Sequence, residues 1–197
     1  IRIIFVILLI SVSGICTSFS RNIFKRGATL YLIGQLITLI TSIILPDEMI
    51  IFGILSFFGL SMLIYGVLKP LFDKIPWYIQ FIIWTFLYLI FFDFPESNTI
   101  HLFIKDVGIP DVLTTNQYLY PIGITTSTFS SADYFPLVPW LFVFLAGTAL
   151  SVPIIQKKFP KWFYQIRMPF LDFCGRKSLI IYILHQPIIY GVLSLIF

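Results

Sequence analysis

Six stretches of this chain stay apolar for about the length of a membrane crossing, and every charged residue except Arg2 and Asp93 falls in the breaks between them. They run roughly over 1–18, 28–45, 50–68, 77–94, 137–155 and 178–197 and are called segments A to F. At 1.5 Å of helical rise per residue, about 20 apolar residues cross a hydrocarbon layer about 30 Å thick. A membrane strand would alternate in polarity over about 10 residues, and these runs are uniformly apolar. The sequence therefore predicts an all-α integral membrane protein with six transmembrane helices, a single polytopic domain over 1–197. Composition agrees: 58% of residues are hydrophobic, 11% are charged and the mean hydropathy is +0.97. A soluble domain carries about 25% charged residues, so this chain has too little charge to cover a wetted surface. That excludes a soluble enzyme, a disordered chain and a disulfide-built secreted domain.

The breaks set the expected topology. Arg21, Lys25 and Arg26 fall between A and B, and Lys69 and Lys74 between C and D. Lys157, Lys158, Lys161, Arg167, Arg176 and Lys177 fall between E and F, which leaves only two of the thirteen Lys and Arg elsewhere. The other connections hold Asp47 and Glu48, or Glu96, Asp106, Asp111 and Asp133 with Lys105. Lys and Arg gather on the cytoplasmic side of membrane proteins, so the A–B, C–D and E–F connections are expected there. The same clusters then report orientation rather than nucleic acid, of which there is no sign. Cys16 and Cys174 fall on the expected cytoplasmic side, where thiols stay reduced. They form no Cys-x-x-Cys or Cys/His array, so no metal is indicated. Residues 1–18 lack the basic start and cleavage site of a signal peptide and read as a helix entered midway. The connection at about 95–136 runs roughly 40 residues, a length that is uncommon without a function. It reads as a substrate lid or as a segment shielding helix ends.

His185 is the sharpest candidate. It lies seven residues past Ser178, about 10 Å into the bilayer at helical rise, where an ionisable group is costly and faces a bundle interior or watery cavity. Ser178, Tyr182 and His185 are spaced to share one helix face, with Gln186 adjacent. Pro187 has no N–H to give the carbonyl of Ile183, which leaves an acceptor near the histidine. His185 reads either as an acid/base or as a hydrogen-bonded packing residue. Arg21, Lys25, Arg26, Arg176 and Lys177 sit at the inner helix ends. They are topology signals, or a dock for a phosphorylated ligand whose oxygens match arginine forks. Ser178 can cap helix F or help its N-terminus meet an anion. Tyr31, Gln35, Thr38 and Ser42 form a polar stripe on B, while Gly53, Ser56 and Gly59 on C let backbones approach; both fit helix packing. Asp133, at the outer mouth, can orient a hydroxyl or amine acceptor, or merely end a loop.

Several motifs form an ordered set: Phe52-Gly53-Ile54-Leu55; Ser131-Ala132-Asp133-Tyr134-Phe135-Pro136-Leu137-Val138-Pro139-Trp140, with Gly147 following; and Gly175-Arg176-Lys177-Ser178-Leu179-Ile180-Ile181-Tyr182-Ile183-Leu184-His185-Gln186-Pro187. With Ser13-Gly14-Ile15 and Lys25-Arg26-Gly27 they resemble, over nearly the whole chain, bacterial relatives of the heparan-α-glucosaminide N-acetyltransferase catalytic domain. The Ser-Leu-x-x-Tyr-x-x-His-Gln-Pro stretch recurs in looser form in the acyltransferase-3 family. The resemblance implies an integral plasma-membrane acyltransferase that takes acetyl from cytoplasmic acetyl-CoA and passes it to an extracytoplasmic glycan or other cell-envelope acceptor. On that reading Arg26, Arg176 and Lys177 hold CoA phosphates, with Arg21, Lys25 and Ser178 beside them. His185, oriented by Tyr182, acts as general base or transient acyl carrier, and Asp133 faces the acceptor. Family members carry an earlier helix with an Arg-Gly motif and, in many, a histidine. This chain is expected to start after it. The alternative from another class is a proton-coupled transporter or channel-like protein with His185 as a proton relay; a non-catalytic scaffold is a third. Neither the acceptor nor the oligomeric state can be read from the sequence.

Overall fold

The computed structural model describes residues 2–92, 94, 99–102, 105–108, 117–126 and 129–160, then positions 164, 177, 180, 181, 184, 188, 191 and 192. The chain divides into two compact units, Ile1–Gln156 and Lys157–Phe197. Among the described residues five helices build the first: α1 Arg2–Ser18, α2 Ile23–Ile44, α3 Ile54–Phe72, α4 Trp77–Ile90 and α5 Leu137–Ile155. Among the described residues α2, α3 and α5 are long and apolar enough to cross a membrane, while α1 and α4 are shorter apolar helices. In the second unit, positions 164, 177, 180, 181, 184, 188, 191 and 192 are helical. Segment F otherwise lies outside the described residues.

The boundaries differ from expectation where charge or a special backbone intervenes. Helix α2 starts at Ile23 rather than 28, so Lys25 and Arg26 are helical. Their long stems let a charged head reach water while the backbone stays in the helix. Helix α3 starts at Ile54 rather than 50, because Gly53 caps it in extended conformation and Phe52 before it is left-handed, at φ 55°. It then runs on through Lys69 and Pro70 to Phe72. Helix α4 stops at Ile90, not 94. Its 14 residues rise only about 21 Å. The long connection after α4 contains a hairpin, β1 Thr99–Leu102 antiparallel to β2 Lys105–Gly108, with Ile100 opposite Val107. Ladder pairing satisfies loop backbone groups that would otherwise need water.

Small residues decide which helices touch. A Cβ on Gly34 of α2 would fall 2.3 Å from the Ser56 Oγ of α3, and one on Gly59 would fall 2.4 Å from the Tyr31 backbone N. Helices α1 and α5 cross as closely. A Cβ on Gly14 would meet the Phe144 carbonyl at 2.2 Å, and one on Gly147 the Ser11 carbonyl at 2.3 Å. Between apolar helices in lipid, association rests on such close packing and on hydrogen bonds rather than on the hydrophobic effect. Aromatic contacts join α4 to α5: Trp84 stacks on Phe142, and Tyr88 tilts against Trp140. The buried core runs through Ile10, Phe57, Met62, Tyr65, Phe72 and Phe144. Opposite faces of α1, α2 and α4, such as Phe5, Leu32, Ile43 and Ile82, are exposed apolar surface suited to lipid.

Candidate functional site

The basic end is assembled by α2 and α3. Phe24 of α2 lies against Gly66 of α3, Gly27 against Gly59 and Met62, and Gly34 against Ser56. The numbers run in opposite directions, so the helices are antiparallel. The first turn of α2 therefore shares an end with the last turn of α3. That places Arg21, Lys25 and Arg26, all exposed, at the same end as Lys69 and exposed Lys74. Exposed guanidinium and ammonium groups gathered beyond an apolar bundle suit an anionic ligand with several phosphate oxygens. In the second unit Lys177 is helical and exposed. Arg176 and Ser178 lie outside the described residues, as do Tyr182 and His185.

At the opposite end of α3, two motif segments clasp each other. The Ser131 hydroxyl accepts from the Ile51 N–H at 2.8 Å and donates to the Ile51 carbonyl at 3.1 Å. The Ala132 N–H donates to the Met49 carbonyl and the Phe135 N–H to the Phe52 carbonyl, each at 3.1 Å. Asp133 Oδ2 accepts from the Ile54 N–H at 3.4 Å, at the first turn of α3. No side-chain cap comes from the local sequence, so the carboxylate supplies from across the chain an acceptor for one of the unpaired N–H groups of a helix start. Its charge also suits the positive end of the helix dipole. Phe52 holds its left-handed backbone while 2% exposed, with its ring edge-on to Tyr120.

A second clasp fixes the start of α5. The Leu137 N–H donates to the Pro121 carbonyl at 2.8 Å and the Val138 N–H to the Ile122 carbonyl at 3.2 Å. The Tyr134 hydroxyl donates to the Tyr120 carbonyl. Burial, and secondarily Tyr120, push the Tyr134 phenol above its ordinary value, so it stays a proton donor. Gly123, at φ 117°, makes the turn in a conformation open to glycine. The Asp133 motif and the Tyr120-Pro121-Ile122-Gly123 turn are thus brought together as a collar around the starts of α3 and α5.

Between the two ends lies a polar stripe that the sequence reading missed. Gln80, Trp84 and Tyr88 recur every fourth residue of α4 and so share a face. Gln80 Nε2 donates to the carbonyls of Phe72 and Ile75 at 2.8 and 2.7 Å. Trp84 Nε1 and the Tyr88 hydroxyl are buried without a hydrogen-bond partner among the described residues, as is the hydroxyl of Ser61 on α3. The period-four spacing was available as a signal, but Trp and Tyr read as apolar in a span so rich in aromatics. The stripe on α2 is used within its own helix and toward α3 instead. Thr38 donates to the Gly34 carbonyl, Ser42 to that of Leu39, and Gln35 reaches Ser56 at 3.4 Å. Among the described residues no cluster of His, Cys, Asp and Glu is suited to a metal.

The family model described as heparan-alpha-glucosaminide N-acetyltransferase, catalytic, matches residues 1–187. The matched span takes in both clasps, the basic first turn of α2 and the His185 motif. No curated protein and no solved structure matches the chain.

Proposed function

Since the chain belongs to the heparan-alpha-glucosaminide N-acetyltransferase catalytic-domain family, we propose that it is a membrane acyltransferase moving acetyl from cytoplasmic acetyl-CoA to an extracytoplasmic glycan or other envelope acceptor. The family match over residues 1–187 carries this reading. The described geometry supports its direction: cations gather at one end of the α2–α3 pair, and a hydrogen-bonded collar lies at the other. We take the full chain as six spans in the plasma membrane, with the A–B, C–D and E–F connections inside.

Arg26, Arg176 and Lys177 would hold the phosphates of CoA, with Arg21, Lys25 and Ser178 as neighbours. His185 is the general base or the acyl carrier. As base, its neutral imidazole takes a proton from the acceptor amine or hydroxyl while the acceptor attacks the thioester carbon. The C–S bond then breaks, the new C–N or C–O bond remains, and CoA leaves as a thiol after protonation. As carrier, the imidazole itself holds the acetyl group between two such steps. Tyr182, on the same predicted face, orients the ring. Asp133 would shape the acceptor mouth through the collar rather than exchange a proton.

Acetyl-CoA binding by the purified chain in detergent tests the donor. Arg26→Ala and Arg176→Ala should each weaken CoA binding by about 1–3 kcal/mol, the scale of a charge-assisted contact, and added salt should weaken it further. No binding or thermal stabilisation at millimolar CoA would contradict the reading and favour a transporter.

A further inference from the structure

Buried polar atoms in a native interior are almost always paired. Among the described residues Trp84 Nε1 and the Tyr88 hydroxyl have no partner, although Gln80, one turn earlier on the same stripe, spends its amide donor on two carbonyls. The two unspent groups stand about 10 and 16 Å from the start of α4 by helical rise, well past Trp77 and Tyr78 at the helix start, where aromatic anchors belong. Both rings are held by their neighbours. Trp84 is stacked on Phe142 at 6.3 Å and edge-on to Phe72 at 5.4 Å. Tyr88 lies 5.6 Å from Phe92 and 6.0 Å from Trp140.

Indole N–H only donates, so its partner must be an acceptor. Two donors one turn apart on one helix face can serve one oxygen with two lone pairs, and burial shields both tips from bulk solvent. Resting on the acyl-CoA reading above, we propose that Trp84 Nε1–H and Tyr88 O–H form the donor pair for the carbonyl oxygen of the acyl thioester. The nucleophile adds to the carbonyl carbon, and the C=O π pair moves onto that oxygen. Both donors hold the resulting oxyanion and keep their own protons. Collapse re-forms C=O and breaks the C–S bond, releasing the CoA thiolate, which is then protonated.

Trp84→Phe and Tyr88→Phe remove the polar tips and keep the stacked rings. The full chain in membranes is assayed with radiolabelled acetyl-CoA, following label into the envelope glycan fraction, alongside CoA affinity and thermal stability. Each variant should lose roughly 10²–10³-fold in transfer rate, the scale for one lost oxyanion donor. CoA affinity should hold, and stability should be equal or higher, because an unpaired buried group has gone. Wild-type transfer in both variants overturns the proposal and leaves the acyltransferase reading intact. Lost stability with unchanged transfer also overturns it, by showing that the tips meet only water. No transfer by the wild-type chain would strike the acyltransferase reading, and this inference with it.

Discussion

Asp133 stands where a helix start needs an acceptor, and that fixes what its replacement should do. Because its Oδ2 meets the first N–H of α3, Asp133→Ala should cost about 0.5–2 kcal/mol, the usual value of a lost N-cap. Asp133→Asn keeps an acceptor oxygen and should cost less, with transfer retained; chemical denaturation and the label assay read the two. Abolished transfer in a folded Asp133→Asn protein would make it a proton-handling residue instead. His185 carries the opposite expectation. As the proposed general base or acyl carrier it handles the proton or the acetyl group itself. His185→Gln should fold and bind CoA yet lose transfer by about 10²-fold or more. Normal transfer would place the base elsewhere, and failure to fold would make it a packing residue.

Helices α2 with α3, and α1 with α5, are joined through positions without a side chain. Gly34→Ala and Gly147→Ala would each put a methyl group 2.3 Å from an atom of the facing helix. Overpacking of this kind costs about 1–3 kcal/mol. Gly191→Ala, with nothing among the described residues within 4 Å of the added carbon, is the uncrowded control in the same thermal assay. At this scale the sequence was readable wherever an apolar run set the length, as for α1 and α5. It misled at the ends: Lys25 and Arg26 look like a break but are helical, and Phe52-Gly53 looks helical but is not. The small residues of segment C were readable as packing residues. Trp84 and Tyr88 were hidden because hydropathy does not separate an aromatic ring from its polar tip. The cap on α3 was beyond local reading, since donor and acceptor are 79 residues apart.

For the molecule as a whole, the arrangement of charge makes a sidedness prediction. With Cys16 and Cys174 replaced by Ser, Asp47→Cys and Pro110→Cys should react with an impermeant thiol reagent on intact cells, and Pro160→Cys should not. Labelling at 160 would invert the topology and remove the cytoplasmic donor. The antiparallel α2–α3 register places two basic breaks at one end. Which side of a membrane that end faces comes from the Lys and Arg distribution alone.

The most direct test of the central claim supplies acetyl-CoA to one membrane face only. In sealed vesicles of both orientations, radiolabelled acetyl-CoA added outside should label glycan in the lumen of inverted vesicles and not in right-side-out ones. The His185→Gln chain should abolish that labelling while still binding CoA. Equal labelling in both orientations, or none in inverted vesicles whose protein binds acetyl-CoA, would contradict transfer of acetyl across the membrane by this chain.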